Sequence, residues 1–134
     1  MKQKKILIVD DDPSVREILS TQLSRLSFQT AAAADGKEAV KLFKSERPDI
    51  VLMDMLMPVL DGLAACQQMR ALEKQEKSGT RVPILFLTAR GTRHDQISSA
   101  LCGGDDFITK PISLQELRER VEAALARAKH KPGP

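Results

Sequence analysis

Three aspartates in a row, Asp10-Asp11-Asp12, a lone Asp54, Thr88 and the pair Lys110-Pro111 each follow directly on a short, largely apolar run. Several carboxylates gathered within a few ångströms repel one another and raise each other's pKa values unless a cation intervenes. Mg²⁺ is the hard cation suited to such a set. It takes oxygen ligands in octahedral array, uses one or two carboxylates, and leaves the rest of its shell to water and phosphate. Lys110 adds a mobile positive charge able to pair with a phosphoryl oxygen, and Thr88 adds a hydroxyl donor. These are parts for phosphoryl transfer, where catalysis is mostly positioning and charge neutralisation. A carboxylate can itself be the nucleophile, giving an aspartyl phosphate.

Elements of alternating type must position these residues. Ile6 to Val9 is too short an apolar run for a helix and β-branched enough for a buried strand; Ile50 to Met53 and Ile84 to Leu87 read the same way. Phe28 to Ala33 is a weaker strand and Phe107 to Thr109 a short one. Between them, Val15, Ile18, Leu19, Leu23 and Leu26 recur at helical spacing behind the start signals Pro13 and Ser14. Gly36 to Arg47 is expected to be a second helix with Val40 and Phe43 inward, ended by Pro48. Leu63, Cys66, Met69 and Leu72 give a third stripe, and polar Lys74 to Arg81 reads as a loop or frayed helix end. A short helix around Ile97 to Leu101 stops at Gly103-Gly104, and Leu114, Leu117, Val121, Ala124 and Ala128 line the last helix. Repeated βα units predict an α/β fold, a parallel sheet with helices on both faces. The C-terminal ends of all strands then share one edge, where such sheets bind ligands, so the polar groups should meet in one cleft.

Each residue alone has an ordinary reading. Asp12 or Ser14 could cap the first helix, and Asp61-Gly62 is a turn. Thr88 could serve strand propensity, Lys110 could be a solvated lysine, and Phe107 could belong to the core. The conjunction of Asp54 with the acidic pair and Lys110 decides for function.

Composition bounds the rest. The 134 residues suit one domain, expected over 1–128, with 129–134 as a tail or linker. Neither a signal peptide nor a bilayer-spanning run is visible, and Cys66 and Cys102 sit in separate apolar stripes, as expected in a reducing, cytoplasmic compartment. The formal charge of +3 comes from acid-free ends bearing Lys2, Lys4, Lys5, Arg127, Lys129 and Lys131, so the middle is net negative. Direct nucleic-acid binding by this domain and membrane association are not expected.

The runs Ile6-Leu7-Ile8-Val9-Asp10-Asp11-Asp12-Pro13, Leu52-Met53-Asp54-Met55-Leu56-Met57-Pro58, Asp61-Gly62, Leu87-Thr88-Ala89 and Asp105-Asp106-Phe107-Ile108-Thr109-Lys110-Pro111 resemble, in order, the signatures of receiver domains of two-component response regulators, chemotaxis regulators among them. The resemblance spans roughly Lys4 to Ala128. It implies a doubly wound five-stranded parallel sheet of order 2-1-3-4-5, flavodoxin-like. It further implies Asp54 as phosphoacceptor; Asp11, Asp54 and the Leu56 carbonyl as Mg²⁺ ligands, with Asp10 acting through water; Thr88 and Lys110 on the phosphoryl oxygens; and Thr88 with Phe107 as the switch. The Lys-Pro bond is usually cis in this family. Gly104 stands where the family often has Ala, which should loosen the approach to the last strand. Leu56 and Arg90 occupy positions that influence phosphoryl lifetime.

The implied partners are a sensor histidine kinase or histidine phosphotransfer protein, and a second copy or output domain meeting the Ile97–Leu101 helix, last strand and last helix. His94 and His130 lie in no phosphohistidine pattern, so the chain should receive phosphate and act as no enzyme beyond its own phosphorylation and dephosphorylation. Two rival readings fit parts of the sequence. A haloacid-dehalogenase-type phosphatase is suggested by Asp10-Asp11-Asp12-Pro13-Ser14 and Gly104-Asp105-Asp106, but it gives Asp54 no role. A non-phosphorylated pseudo-receiver would lack the acceptor, an acidic-pair member or the lysine, and all are present.

Overall fold

The computed structural model describes residues 3–55, 57, 59–76, 79–89 and 92–130. Five strands and five helices alternate: β1 (Lys5–Val9), α1 (Pro13–Arg25), β2 (Gln29–Ala33), α2 (Gly36–Glu46), β3 (Ile50–Asp54), α3 (Gly62–Glu76), β4 (Ile84–Thr88), α4 (Arg93–Leu101), β5 (Asp106–Thr109) and α5 (Leu114–His130). All neighbouring strands pair in parallel, in the order β2-β1-β3-β4-β5. The chain winds outward from β1 in one direction and from β3 in the other, so the strand order reverses between these two, where an open α/β sheet forms its crevice.

Period-two alternation along the central strands divides the core between the two faces of the sheet. Leu7, Val9, Val51, Met53, Ile84 and Phe86 pack with Ala39 and Phe43 of α2 and Ala65, Cys66 and Met69 of α3. Ile6, Ile8, Ile50, Leu52, Leu85, Leu87 and Ile108 pack with Leu19 and Leu23 of α1 and Leu117, Val121 and Ala124 of α5. Burial on both faces explains why β1, β3 and β4 read as continuous apolar runs. β2 is an edge strand whose Gln29 and Ala32 are exposed, hence its weaker pattern.

Several helix bounds and faces are set by contacts that apolar spacing does not show. Helix α3 takes up Lys74 to Glu76, because the last turns are tied down from the side: Glu73 Oε2 accepts from the Val82 N–H at 2.7 Å while Oε1 pairs with Arg70 at 2.8 Å. Arg70 also donates to the Gly103 and Val82 carbonyls and to Asp105 Oδ2, which joins α3, the entry to β4 and the entry to β5 at the edge opposite the strand C-termini. Helix α4 begins at Arg93, earlier than its apolar residues suggest, with Thr92 Oγ1 accepting from the Asp95 N–H. Its Ile97 and Leu101 point outward, 51% and 82% exposed, and the residue it buries is Ser99. Ile18 of α1 and Leu114 of α5 are likewise exposed. Helix α5 continues through His130, so the first two residues of the expected tail are helical.

Gly104 does the opposite of loosening the approach to β5. A Cβ there would stand 2.7 Å from the Phe86 ring and 2.9 Å from the Ser99 carbonyl oxygen, so Phe86, fully buried, fills the space that a larger residue would need.

Candidate functional site

At the crevice, β1 gives up its last sheet bond at Asp10, whose N–H donates to the Ala33 carbonyl at 3.2 Å. The chain then turns sharply. Asp10 Oδ1 accepts from the Asp12 N–H at 2.9 Å, and Asp12 Oδ1 accepts from the Ser14 N–H at 2.9 Å, which makes Asp12 the N-cap of α1 with Pro13 in its first turn. Asp12 is therefore structural. The turn leaves Asp10 buried and Asp11 exposed.

Asp54 ends β3, alongside Leu87 of β4, with its side chain 12% exposed. The α3 start is drawn tightly beneath it. Gly62 donates to the Met55 carbonyl at 3.0 Å, and a Cβ on Gly62 would collide with the Asp54 carbonyl oxygen, so this turn admits only glycine. Asp61 accepts from the Ala64 N–H at 2.9 Å and so caps α3, a role its reading as a turn residue did not include.

One carboxylate oxygen from each of Asp10, Asp11 and Asp54 lies within 4.8 Å of the others. Two are buried and one faces solvent, on an open sheet edge. This all-oxygen set fits a hard divalent cation, such as Mg²⁺, that keeps part of its water shell. Lys110 reaches in from β5: its Nζ is 2.8 Å from Asp10 Oδ2 and 3.8 Å from Asp54 Oδ2. Its backbone N–H donates to the Thr88 carbonyl at 2.7 Å, and the Lys110-Pro111 bond is cis.

The residues singled out in the sequence thus meet as expected for Asp10, Asp11, Asp54 and Lys110. Thr88 sits buried at the end of β4, on the same edge and in register with Thr109. Phe107 lies beside Phe86 in the sheet, half-buried against the α2–α3 side of the core. Leu56 and Arg90 lie outside the described residues. Sequence reasoning missed Arg16, whose Nη1 donates to the Asp10 carbonyl at 2.7 Å from the second turn of α1. Its only trace in the sequence is a basic residue shortly after the acidic run.

A doubly wound five-stranded sheet with an acidic crevice at its switch point and a lysine from the last strand defines a class of phosphate-handling domain. The profile of the response regulator receiver domain matches residues 6–122, and the chain belongs to that family, the receiver domains of two-component systems. It is 43% identical over 125 residues to the probable transcriptional regulator ycf27 of Guillardia theta, covering 93% of this chain and 46% of that protein. To the response regulator MprA of Mycolicibacterium vanbaalenii it is 43% identical over 123 residues, covering 92% and 51%. The chain spans about half the length of the curated relatives it matches.

Among solved structures, the receiver domain of a sensor histidine kinase from Pseudomonas aeruginosa, with magnesium coordinated in its active-site cleft, superimposes with a TM-score of 0.83 at 32% identity, covering 93% of this chain and 99% of that one. The beryllofluoride-activated receiver domain of RstA from Klebsiella pneumoniae gives 0.82 at 28%, covering 91% and 98%. These matches favour neither the phosphatase nor the pseudo-receiver reading.

Proposed function

We propose that the chain takes a phosphoryl group from a phosphohistidine onto Asp54. The carrying observation is the position of Lys110, whose ammonium lies between Asp10 and Asp54 at the sheet's switch point. An Asp54 carboxylate oxygen attacks phosphorus, the P–N bond breaks, and the departing imidazole takes a proton from solvent at the open edge of the sheet. Lys110 is close enough to transfer its pairing to a new phosphoryl oxygen, and the Thr88 hydroxyl supplies a further donor from the end of β4. Asp11 and Asp54, with the Leu56 carbonyl that the family resemblance implies and Asp10 through water, would hold Mg²⁺, which would supply charge neutralisation at the phosphoryl group. Asp10 is a poor nucleophile here, because Lys110 and the Asp12 N–H already engage its two oxygens.

The donor on this reading is a sensor histidine kinase or a histidine phosphotransfer protein, and the chain turns over no separate substrate. Phosphorylation is read out at α4, β5 and α5, where Ile97 and Leu101 offer apolar surface to an output domain or a second copy. Two free cysteines suit a reducing, cytoplasmic setting. Among the described residues no helix is long and apolar enough to cross a membrane. The test is intact-mass spectrometry after incubation with acetyl phosphate and Mg²⁺. A single added phosphoryl is expected, absent in Asp54→Asn; an equal signal in that variant would overturn the assignment.

A further inference from the structure

We infer that Arg16 is a positioning residue for the metal-binding aspartate Asp11, and this inference rests on the phosphoacceptor reading of the site. Asp11 is the exposed member of the acidic set, and its own carboxylate makes no hydrogen bond that would aim it among those of the described residues. Its direction must therefore come from the backbone on either side.

That backbone is bracketed. On the N-terminal side the Asp10 N–H is held by the Ala33 carbonyl, and the Asp10 carbonyl, one atom from the Asp11 nitrogen, accepts from Arg16 Nη1 at 2.7 Å. On the C-terminal side the Asp12 N–H is held by Asp10 Oδ1, and the Asp12 carbonyl accepts from the Arg16 N–H at 3.1 Å. The main-chain bond is the first of the α1 ladder and is made whatever residue stands at 16, whereas the guanidinium bond on the other side of Asp11 is Arg16's own. The guanidinium contact restrains the peptide plane between Asp10 and Asp11, the plane from which Asp11 brings one carboxylate oxygen within 4.8 Å of those of Asp10 and Asp54. A charged donor gives a short, strong bond to a carbonyl at the point where the strand ladder runs out. Groups of this kind, which orient a metal ligand without touching the metal, are worth on the order of tenfold or more in metal affinity.

A bystander role for Arg16 predicts the opposite sign. If the guanidinium acted only as a nearby positive charge, it would compete with a cation for the acidic set, and its removal would tighten Mg²⁺ binding. The sequence contains neither Trp nor Tyr, so the readout is an amide NMR titration with Mg²⁺ alone, followed at residues 10–12 and 54. Arg16→Met is expected to weaken Mg²⁺ on the order of tenfold, with a dispersed spectrum showing an intact fold. Arg16→Lys, which keeps a long charged donor, is expected to recover part of the loss, a recovery that a purely structural defect would not give. Should Arg16→Met fail to fold, Arg16→Lys alone carries the test, with weaker binding than wild type expected. If wild type binds Mg²⁺ and Arg16→Met, or in its place Arg16→Lys, binds as tightly or more tightly, the positioning role is wrong. If wild type itself shows no Mg²⁺ response at these amides, the metal-dependent reading of the site fails instead.

Discussion

Lys110 and Asp10, 100 residues apart in the chain, form an ion contact in the crevice, Nζ to Oδ2 at 2.8 Å, while the same ammonium stands 3.8 Å from Asp54. The cation thus leans toward the carboxylate that, on the proposed reading, is not the nucleophile. Transfer of the phosphoryl group then requires this contact to be exchanged for one with a phosphoryl oxygen. It also means that Lys110 offsets part of the charge of the acidic set before any ligand arrives.

Lys110→Met should separate these two duties. Losing the cation leaves clustered carboxylates without compensation, two of them buried, and should destabilise the fold by about 1–3 kcal/mol. Because a competing positive charge has gone, Mg²⁺ should bind more tightly and restore part of that stability. Labelling by acetyl phosphate should nevertheless slow on the order of a hundredfold, the usual effect of removing a donor aimed at developing charge. Urea unfolding with and without Mg²⁺, set beside a mass-spectrometric time course, checks both signs; labelling at the wild-type rate would remove Lys110 from the reaction.

Signal output should depend on Thr88 and Phe107. A phosphoryl group on Asp54 can accept from the Thr88 hydroxyl, and displacement of that side chain opens room for the half-buried Phe107 ring, which has no hydroxyl to desolvate. A ligand shifts such an equilibrium only by its differential affinity for the two states. Thr88→Ala should still be phosphorylated, more slowly, yet lose most of the chemical-shift change that beryllofluoride induces around Ala100 to Phe107. Undiminished perturbations there would mean that the signal takes another route.

Alkaline pH should weaken the fold through Cys66. Burial pushes its thiol up to about 11 from an ordinary value near 9, against the pull of nearby Arg70, and the Sγ–H donates to the Cys102 carbonyl at 3.1 Å. The folded state keeps this proton to higher pH than the unfolded chain does. The corresponding stability is fully present below pH 9 and is lost as pH rises toward 11. The urea midpoint should fall across that window more steeply in wild type than in Cys66→Ala. Parallel curves would show that the thiol contributes nothing to the pH dependence.

The acidic crevice was legible because its residues sit at the ends of strands, where one apolar run and one polar residue suffice to mark a position. Asp10, Asp54 and Lys110 could be placed on one edge before any geometry was available. Helix α4 was legible only in part, since Ile97 and Leu101 face outward and its start is carried by Thr92 and Asp95 instead of by apolar spacing. The end of α3 was hidden for a related reason: Arg70 and Glu73 hold it through contacts with residues that are distant in sequence or main-chain groups. Arg16 left almost no trace, because a side chain that bonds to a backbone carbonyl has no periodicity and no partner type to betray it.

The fit of Phe86 into the space above Gly104 couples two positions that lie apart in the chain. An alanine at 104 would have to be met by a displaced Phe86 ring or a shifted Ser99 carbonyl. The cost of a change at either position therefore depends on what stands at the other, so the volume of one side chain in β4 sets what the turn into β5 can hold.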